Sequence, residues 1–307
     1  MTIAFLFPGQ GSQVPGMLHN LPEHPDITRT LDEASTSLHH DIRDLDSPEA
    51  LKSTISVQLA LLTAGVAVAR ALAAEGVQAE AVAGLSVGAF AAAVHSGAVT
   101  FPQAIQLVQQ RAEMMMTLYP NGYGLAAIIG LTEAQVSALV ENAHTAEAPV
   151  YVGNINAPRQ IVIAGSDEGM TRVLEAAKKV GARKAARLEV SVPSHCPLLE
   201  PVAVALRATL ESMKLEQPRL IYVGNVKARA LRAAAPVAED LASNIAHGVR
   251  WHDATAVLEE LGCRLFLEMP PGHVLSDLAR EAFPDVKTLA IGRSTLKTAL
   301  HLAARSA

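Results

Sequence analysis

The stretch Ala81-Val82-Ala83-Gly84-Leu85-Ser86-Val87-Gly88-Ala89-Phe90 constrains the fold of this chain more than any other. A short apolar run that reads as a buried strand ends at Gly84, and a small-residue run able to be helical, Ala89 through Val94, follows Gly88. Between them a serine stands in G-x-S-x-G spacing. A strand-to-helix reversal this tight forces strained dihedrals on the serine and exposes its hydroxyl at the tip of a sheet. Gly84 and Gly88 suit the turn because a β-carbon at either would collide with the facing strand or helix. The helix then aims its first N–H groups and its dipole at the point where an oxyanion would form. Ser86 is therefore the candidate nucleophile, although a Gly/Ser-rich turn can carry the same pattern by chance.

With 307 residues, 50% of them apolar, the chain can bury a large core and is expected to form one big domain and a smaller one. Aromatic residues make up only 4%, so Ala, Leu and Val carry the packing, as in helices layered on a parallel sheet. A net charge of -5 argues against a nucleic-acid surface. Cys196 and Cys263 supply no disulfide framework and show no zinc spacing, which fits a reducing, cytoplasmic setting. Met1-Thr2-Ile3 leads into a strand without the charged segment of a secretory leader. The longest apolar stretch, Leu59 to Ala74, is broken by Thr63, Gly65 and Arg70 and reads as too short for a bilayer, so membrane insertion is not expected.

In chain order, an apolar strand from Ile3 to Phe7 runs into Pro8-Gly9-Gln10-Gly11-Ser12-Gln13, a loop whose glycines can bare backbone N–H groups. It matches neither G-x-x-x-x-G-K-[ST] nor G-x-G-x-x-G, so nucleotide binding is a weak reading. Helices are predicted over Pro25–His39, Ser56–Glu75 (closed by Gly76) and Pro102–Tyr119. From Gly122 the pattern changes: strand Leu125–Ile129, a helix capped by Thr132 with Gln135, strands Val150–Ile155 and Gln160–Ala164, helix Asp167–Val180 and strand Lys184–Val190. The order β-α-β-β-α-β predicts a ferredoxin-like insert over 122–190 in a discontinuous large domain, 1–121 and 191–307. The remainder alternates again: helix 198–213, strand 221–223, helices 238–245 and 254–261, strand 264–268, helix 273–283, strand 288–291 and helix 295–304, a mostly parallel α/β sheet wrapped by helices.

Two residues stand out from their elements. Arg111 falls inside the apolar stripe of its predicted helix (Ile105, Val108, Ala112, Met115, with Leu107, Met114 and Leu118 beside it). A guanidinium on a core face must meet a structural carboxylate, snorkel to the surface, or line a cavity that receives an anion. His195, in Val192-Pro193-Ser194-His195-Cys196-Pro197, sits at a strand-to-helix corner hemmed by two prolines, which restrains its ring. Cys196 beside it is discounted as a dyad partner, since adjacent residues at a turn seldom face one another. His247, His252, His273 and His301 lack metal-ligand spacing, and no metal site is expected.

Taken together, Phe7-Pro8-Gly9-Gln10-Gly11-Ser12-Gln13, the Gly84–Gly88 elbow, Arg111 and Val192-Pro193-Ser194-His195 resemble the malonyl-CoA:acyl-carrier-protein transacylase family over nearly the whole chain. The resemblance implies an α/β-hydrolase-like large domain with a ferredoxin-like insert and a ping-pong acyl transfer in the cleft between them. It further implies Ser86 as acylated nucleophile, His195 as its base and Arg111 as clamp for the malonyl carboxylate. The backbone N–H groups of Gln10 and Val87 would form the oxyanion hole, and the backbone carbonyl of Asn244 would orient the histidine. No cofactor is implied. Malonyl-CoA is the donor, and a phosphopantetheine-type thiol on an acyl carrier protein is the acceptor. The chain departs from most fatty-acid transacylases in carrying Leu85 before the serine, Ala89 three after it and Met269-Pro270-Pro271-Gly272 in place of a Gly-Pro-Gly turn. The Gly84-Leu85-Ser86-Val87-Gly88-Ala89-Phe90 form, with the trimmed segment between Gln13 and Leu59, is similar to the transacylase (epsilon) subunit of malonate decarboxylase, whose other subunits would then be partners; that role is the expected one, with the transacylase of fatty-acid or polyketide synthesis as the alternative.

The basic run Lys178, Lys179, Arg183, Lys184 and Arg187 reads as a solvated face, or as a receptor for CoA phosphates or an acidic carrier. Competing readings are a serine hydrolase with a Ser86–Asp167–His195 triad, a Ser-Asp dyad enzyme, and a non-catalytic acyl-CoA-binding subunit.

Overall fold

Alternation along the first strand sets the architecture. In a computed structural model describing residues 2–305, Ile3, Phe5 and Phe7 of β1 (Thr2–Phe7) enter one hydrophobic cluster, while Ala4 and Leu6 enter another on the opposite face. A strand buried on both faces belongs at the centre of a parallel sheet covered by helices. Met1, where the leaderless reading begins, lies outside the described residues.

The elements that follow are α1 (Pro25–Leu38), α2 (Thr54–Ala74), β2 (Ala81–Gly84), α3 (Gly88–Ser96), α4 (Phe101–Leu118), β3 (Tyr123–Ile129), α5 (Glu133–Ala143), β4 (Val150–Ala157), β5 (Gln160–Ser166), α6 (Asp167–Lys179) and β6 (Lys184–Arg187). After these come α7 (Glu200–Ser212), β7 (Ile221–Val223), β8 (Ala230–Leu231), α8 (Ala234–Ser243), α9 (Trp251–Glu260), β9 (Cys263–Glu268), α10 (Val274–Ala282), β10 (Lys287–Ala290) and α11 (Leu296–Ala304). The large sheet has the order β10-β9-β1-β2-β7-β8, parallel except for β8. The second sheet, β4-β5-β3-β6, is antiparallel with α5 and α6 packed against it. Its strand order is that of a ferredoxin-like β-α-β-β-α-β unit.

Local signals explain most boundaries. Thr132 and Gln135 cap α5 reciprocally, and Thr100 with Gln103 does the same for α4, so that helix starts at Phe101 and Pro102 stands in its first turn. Three features depart from expectation. Helix α2 is 21 residues long and apolar enough to cross a bilayer, so length does not decide the matter; 89% of its apolar window is packed inside the protein against α1, α3 and α4. Helix α8 starts at Ala234 and stops at Ser243, two residues short of Ile245, because the Asn244 and Ile245 carbonyls accept hydrogen bonds from His195. Leu118, placed in the apolar stripe of α4, is exposed at the frayed end of that helix.

The small sheet docks through backbone. Ile155 N–H donates to the Val249 carbonyl at 2.8 Å and Val249 N–H to the Gly153 carbonyl at 3.0 Å, across a break in the β4–β5 register. These bonds tie β4 to the same segment whose carbonyls hold His195.

Candidate active site

Ser86 follows the end of β2 with φ +57°, a left-handed conformation that a residue with a β-carbon occupies only when its surroundings enforce it. The enforcement is visible on both sides. A β-carbon on Gly84 would lie 2.1 Å from the Gly88 carbonyl carbon, and one on Gly88 would lie 2.2 Å from the Phe7 carbonyl oxygen. The elbow therefore presses directly on the first loop. Asn225 completes the clamp: its Oδ1 accepts from the Ser86 N–H at 3.0 Å and its Nδ2 donates to the Gly84 carbonyl at 2.9 Å. Asn225 is itself fixed, because its N–H donates to the Asp240 carboxylate at 2.8 Å, which also accepts from the Tyr222 hydroxyl at 2.9 Å. Burial pushes the Asp240 carboxyl up and the Tyr222 hydroxyl further up.

His195 also has a left-handed backbone, φ +66°, at the corner between its two prolines. Its N–H donates to the Ile245 carbonyl at 2.7 Å, and its Nδ1 lies 2.6 Å from the Asn244 carbonyl oxygen. A carbonyl can only accept, so Nδ1 carries the proton and Nε2 is left as the acceptor. Nε2 lies 2.7 Å from Ser86 Oγ. Burial, and next the Arg111 charge, push the imidazole down to about 3, so the ring rests neutral. Among the described residues no carboxylate bonds to the ring. Asp167 pairs with Arg187 at the start of α6, which rules out the Ser86–Asp167–His195 triad as arranged here. Cys196 points away, its Sγ donating to the Pro193 carbonyl at 3.2 Å, and burial pushes its thiol up to about 12.

Arg111 is 1% exposed and has no carboxylate partner among the described residues. Its Nη2 donates to Ser86 Oγ at 3.1 Å and its Nη1 to Gln58 Oε1 at 2.7 Å, while Nε has no partner. Burial alone lowers it to about 9, which still leaves a cation at neutral pH. Neither a structural ion pair nor a surface snorkel describes it. A desolvated guanidinium with an unused N–H, beside a nucleophile, has the chemistry to accept a carboxylate as a ligand.

Gln10 lies at the cleft on the loop after β1, and Val87 at the head of α3. Among the described residues, neither backbone N–H donates to a protein acceptor. Gln10, Ser86, Arg111, Met115, Asn154 and His195 line one narrow cleft with about 40 Å³ of free space, room for little more than a water. The structure thus brings Ser86, His195, Arg111, Gln10 and the Asn244 carbonyl into one place. Sequence reasoning missed Asn225, Gln58 and Asn154. Gln58 left one signal, a large amide side chain in a mainly apolar helix; Asn225 sits in a short loop with nothing to mark it.

Residues 4–296 match the acyl transferase domain family. The chain is 35% identical to the malonyl CoA-acyl carrier protein transacylase of Escherichia coli K12, over 97% of this chain and 99% of that one. The crystal structure of FabD from Acinetobacter baumannii superposes with a TM-score of 0.94 at 35% identity, covering 100% of this chain and 99% of that one. A malonyl-transacylase solved in complex with its type II polyketide-synthase acyl-carrier protein superposes at 0.93 with 34% identity, covering 98% and 100%. A serine held against an imidazole and a carboxylate receptor is what an enzyme that forms an acyl-serine needs, and this chain belongs to the acyl transferase domain family.

Proposed function

We propose that this enzyme transfers malonyl from malonyl-CoA to the thiol of an acyl carrier protein through a malonyl-Ser86 intermediate. One observation carries the reading: Ser86 Oγ lies 2.7 Å from a neutral histidine Nε2 and 3.1 Å from a buried arginine that has no carboxylate of its own. Ser86 Oγ attacks the thioester carbonyl while His195 Nε2 takes its proton. The oxyanion is held by the Gln10 and Val87 N–H groups, and CoA leaves as the thiol after His195 returns the proton. The carrier thiol then gives its proton to His195 and attacks the acyl-serine, and Ser86 recovers the proton as it leaves. Arg111 binds the free carboxylate in bidentate fashion. That contact offsets the charge which depresses His195, so malonyl strengthens the base that acts on it.

The names of the similar proteins favour a carrier protein of fatty-acid or polyketide synthesis as acceptor. Leu85 and Ala89, the atypical elbow neighbours, favour a second reading, the transacylase subunit of malonate decarboxylase. Malonyl transfer measured in parallel to the two carriers separates these. The donor, site and reaction class are tested together by intact-mass spectrometry after mixing with malonyl-CoA or acetyl-CoA. The expected result is one malonyl adduct, absent in Ser86→Ala and discharged by carrier thiol. Rapid release of free malonate without a thiol would make the protein a hydrolase, and no adduct at all would make it a binding subunit.

A further inference from the structure

A cavity of about 850 Å³ lies far from Ser86. Ser86 follows the C-terminal end of β2, whereas Gln78 and Leu220, which line this cavity, precede the first residues of β2 and β7. It therefore opens at the opposite edge of the parallel sheet. Helix α3 connects the two places: its first turn carries the elbow and its nine residues, about 13 Å, end at His95 and Gly97 on the cavity wall.

Five formally charged side chains face this space: Arg29, Arg70, Arg219, Asp26 and Glu33. Arg29 pairs with Asp26 at 2.8 Å and Arg70 with Glu33 at 2.6 Å. One cation is left over. The Arg219 guanidinium lies flat over Gly97, where a β-carbon would come within 2.7 Å of its Nε, and it has no ion-pair or hydrogen-bond partner among the described residues. Beside it the His95 ring stacks on Phe5 at 4.9 Å, and its nitrogens likewise make no hydrogen bond among the described residues. Arg219 and Arg70 both act on that ring, which after burial they push down to about 4. Arg70 also lies 5.1 Å over the buried Phe101 ring, and Val94, Pro102 and Leu220 form an apolar wall beside the cationic corner.

An unpaired guanidinium in a concave site attracts negative charge, a neutral imidazole beside it has an N–H free to donate to the same anion, and a volume of this size holds far more than a bare ion. We propose that this cavity binds a small organic anion, its carboxylate or phosphate held by Arg219 and His95 beside Arg70 and its apolar part lying against Val94, Pro102 and Leu220. The site is independent of malonyl transfer and uses none of the residues around Ser86.

Calorimetric titration of octanoate, adenosine 5′-monophosphate and inorganic phosphate into the 307-residue protein tests this, with Arg219→Ala and Arg111→Ala as variants. At least one organic anion should bind, at least about tenfold more weakly to Arg219→Ala and unchanged to Arg111→Ala. Octanoate and the nucleotide distinguish a carboxylate from a phosphate ligand. Because Arg219 is exposed, its variant should fold and transfer malonyl at the parent rate. No binding of any probe up to about 10 mM overturns the proposal, as does equal affinity in Arg219→Ala or loss in Arg111→Ala. Inorganic phosphate binding as tightly as both organic anions would overturn the apolar contact.

Discussion

Replacing Asn225 by alanine isolates the forces that hold the nucleophile in its left-handed turn. The substitution removes the acceptor of the Ser86 N–H at 3.0 Å and the donor to the Gly84 carbonyl at 2.9 Å, at a position only 2% exposed. Each buried group left without a partner costs about 1–3 kcal/mol. Partial relaxation of the loop brings the expected loss of stability to about 2–4 kcal/mol. The relaxation matters more than the loss. A non-glycine residue at φ +57° stores about 1–3 kcal/mol that Ser86 releases once its N–H is free to turn, and each ~1.4 kcal/mol of that must be restored at the transition state for a tenfold change in rate. Acylation of Ser86 should therefore slow roughly 10- to 100-fold. Asn225→Asp, which keeps an acceptor for Ser86 but places a second one against the Gly84 carbonyl and near Asp240, should do at least as much harm. The assay is rapid-quench intact mass of malonyl-Ser86 formation, run beside urea unfolding at the same temperature. An acylation rate within about twofold of the parent in a measurably destabilised variant would refute the reasoning. Asn225 would then support the fold without positioning the nucleophile.

Arg111→Ala should reduce malonyl transfer by a few kcal/mol, about 30-fold or more, while sparing acetyl transfer; equal losses in steady-state kcat/KM for both acyl groups would count against a carboxylate clamp. Gly88→Ala drives a β-carbon to 2.2 Å from the Phe7 carbonyl oxygen and should cost about 3 kcal/mol or more, read as a lowered urea midpoint together with lost acylation. Gln58→Leu removes the acceptor that orients the Arg111 guanidinium and leaves Nη1 only the weak Met115 Sδ contact at 3.4 Å, so the misaligned clamp should raise the KM for malonyl-CoA severalfold with a smaller change in kcat, checked by initial rates. His195 and His95 are held to about 3 and about 4 in the folded protein and return to about 6.5 on unfolding, so below that pH the unfolded chain binds more protons. Their contribution to stability is complete above about pH 6.5 and is lost as pH falls through about 4 for His95 and about 3 for His195. Urea midpoints should fall over that window, and less steeply in His95→Gln.

Local chemistry made part of this site legible. The turn at Ser86 is encoded within ten residues, since glycine, serine and the flanking apolar runs suffice for a strand, a strained corner and a helix. The corner at His195 follows from its two prolines, the capping of α5 from Thr132 and Gln135, and the succession of strands and helices along the insert from turn and period. Arg111 announced itself as a charge in an apolar stripe, but the stripe left a structural ion pair as available as a ligand. Only packing removed that choice, by surrounding the guanidinium with Gln58, Met115 and Ser86 and no carboxylate. Likewise the hydrogen bond from Ser86 to His195 spans 109 positions, and that from Ser86 to Asn225 spans 139. Periodicity and turn chemistry report on neighbours a few positions apart. Which distant residues meet is set by how the sheet, its helices and the insert bury their apolar faces together. For that reason Asn225, Gln58 and the cationic cavity at the far edge of the sheet came into view only in three dimensions.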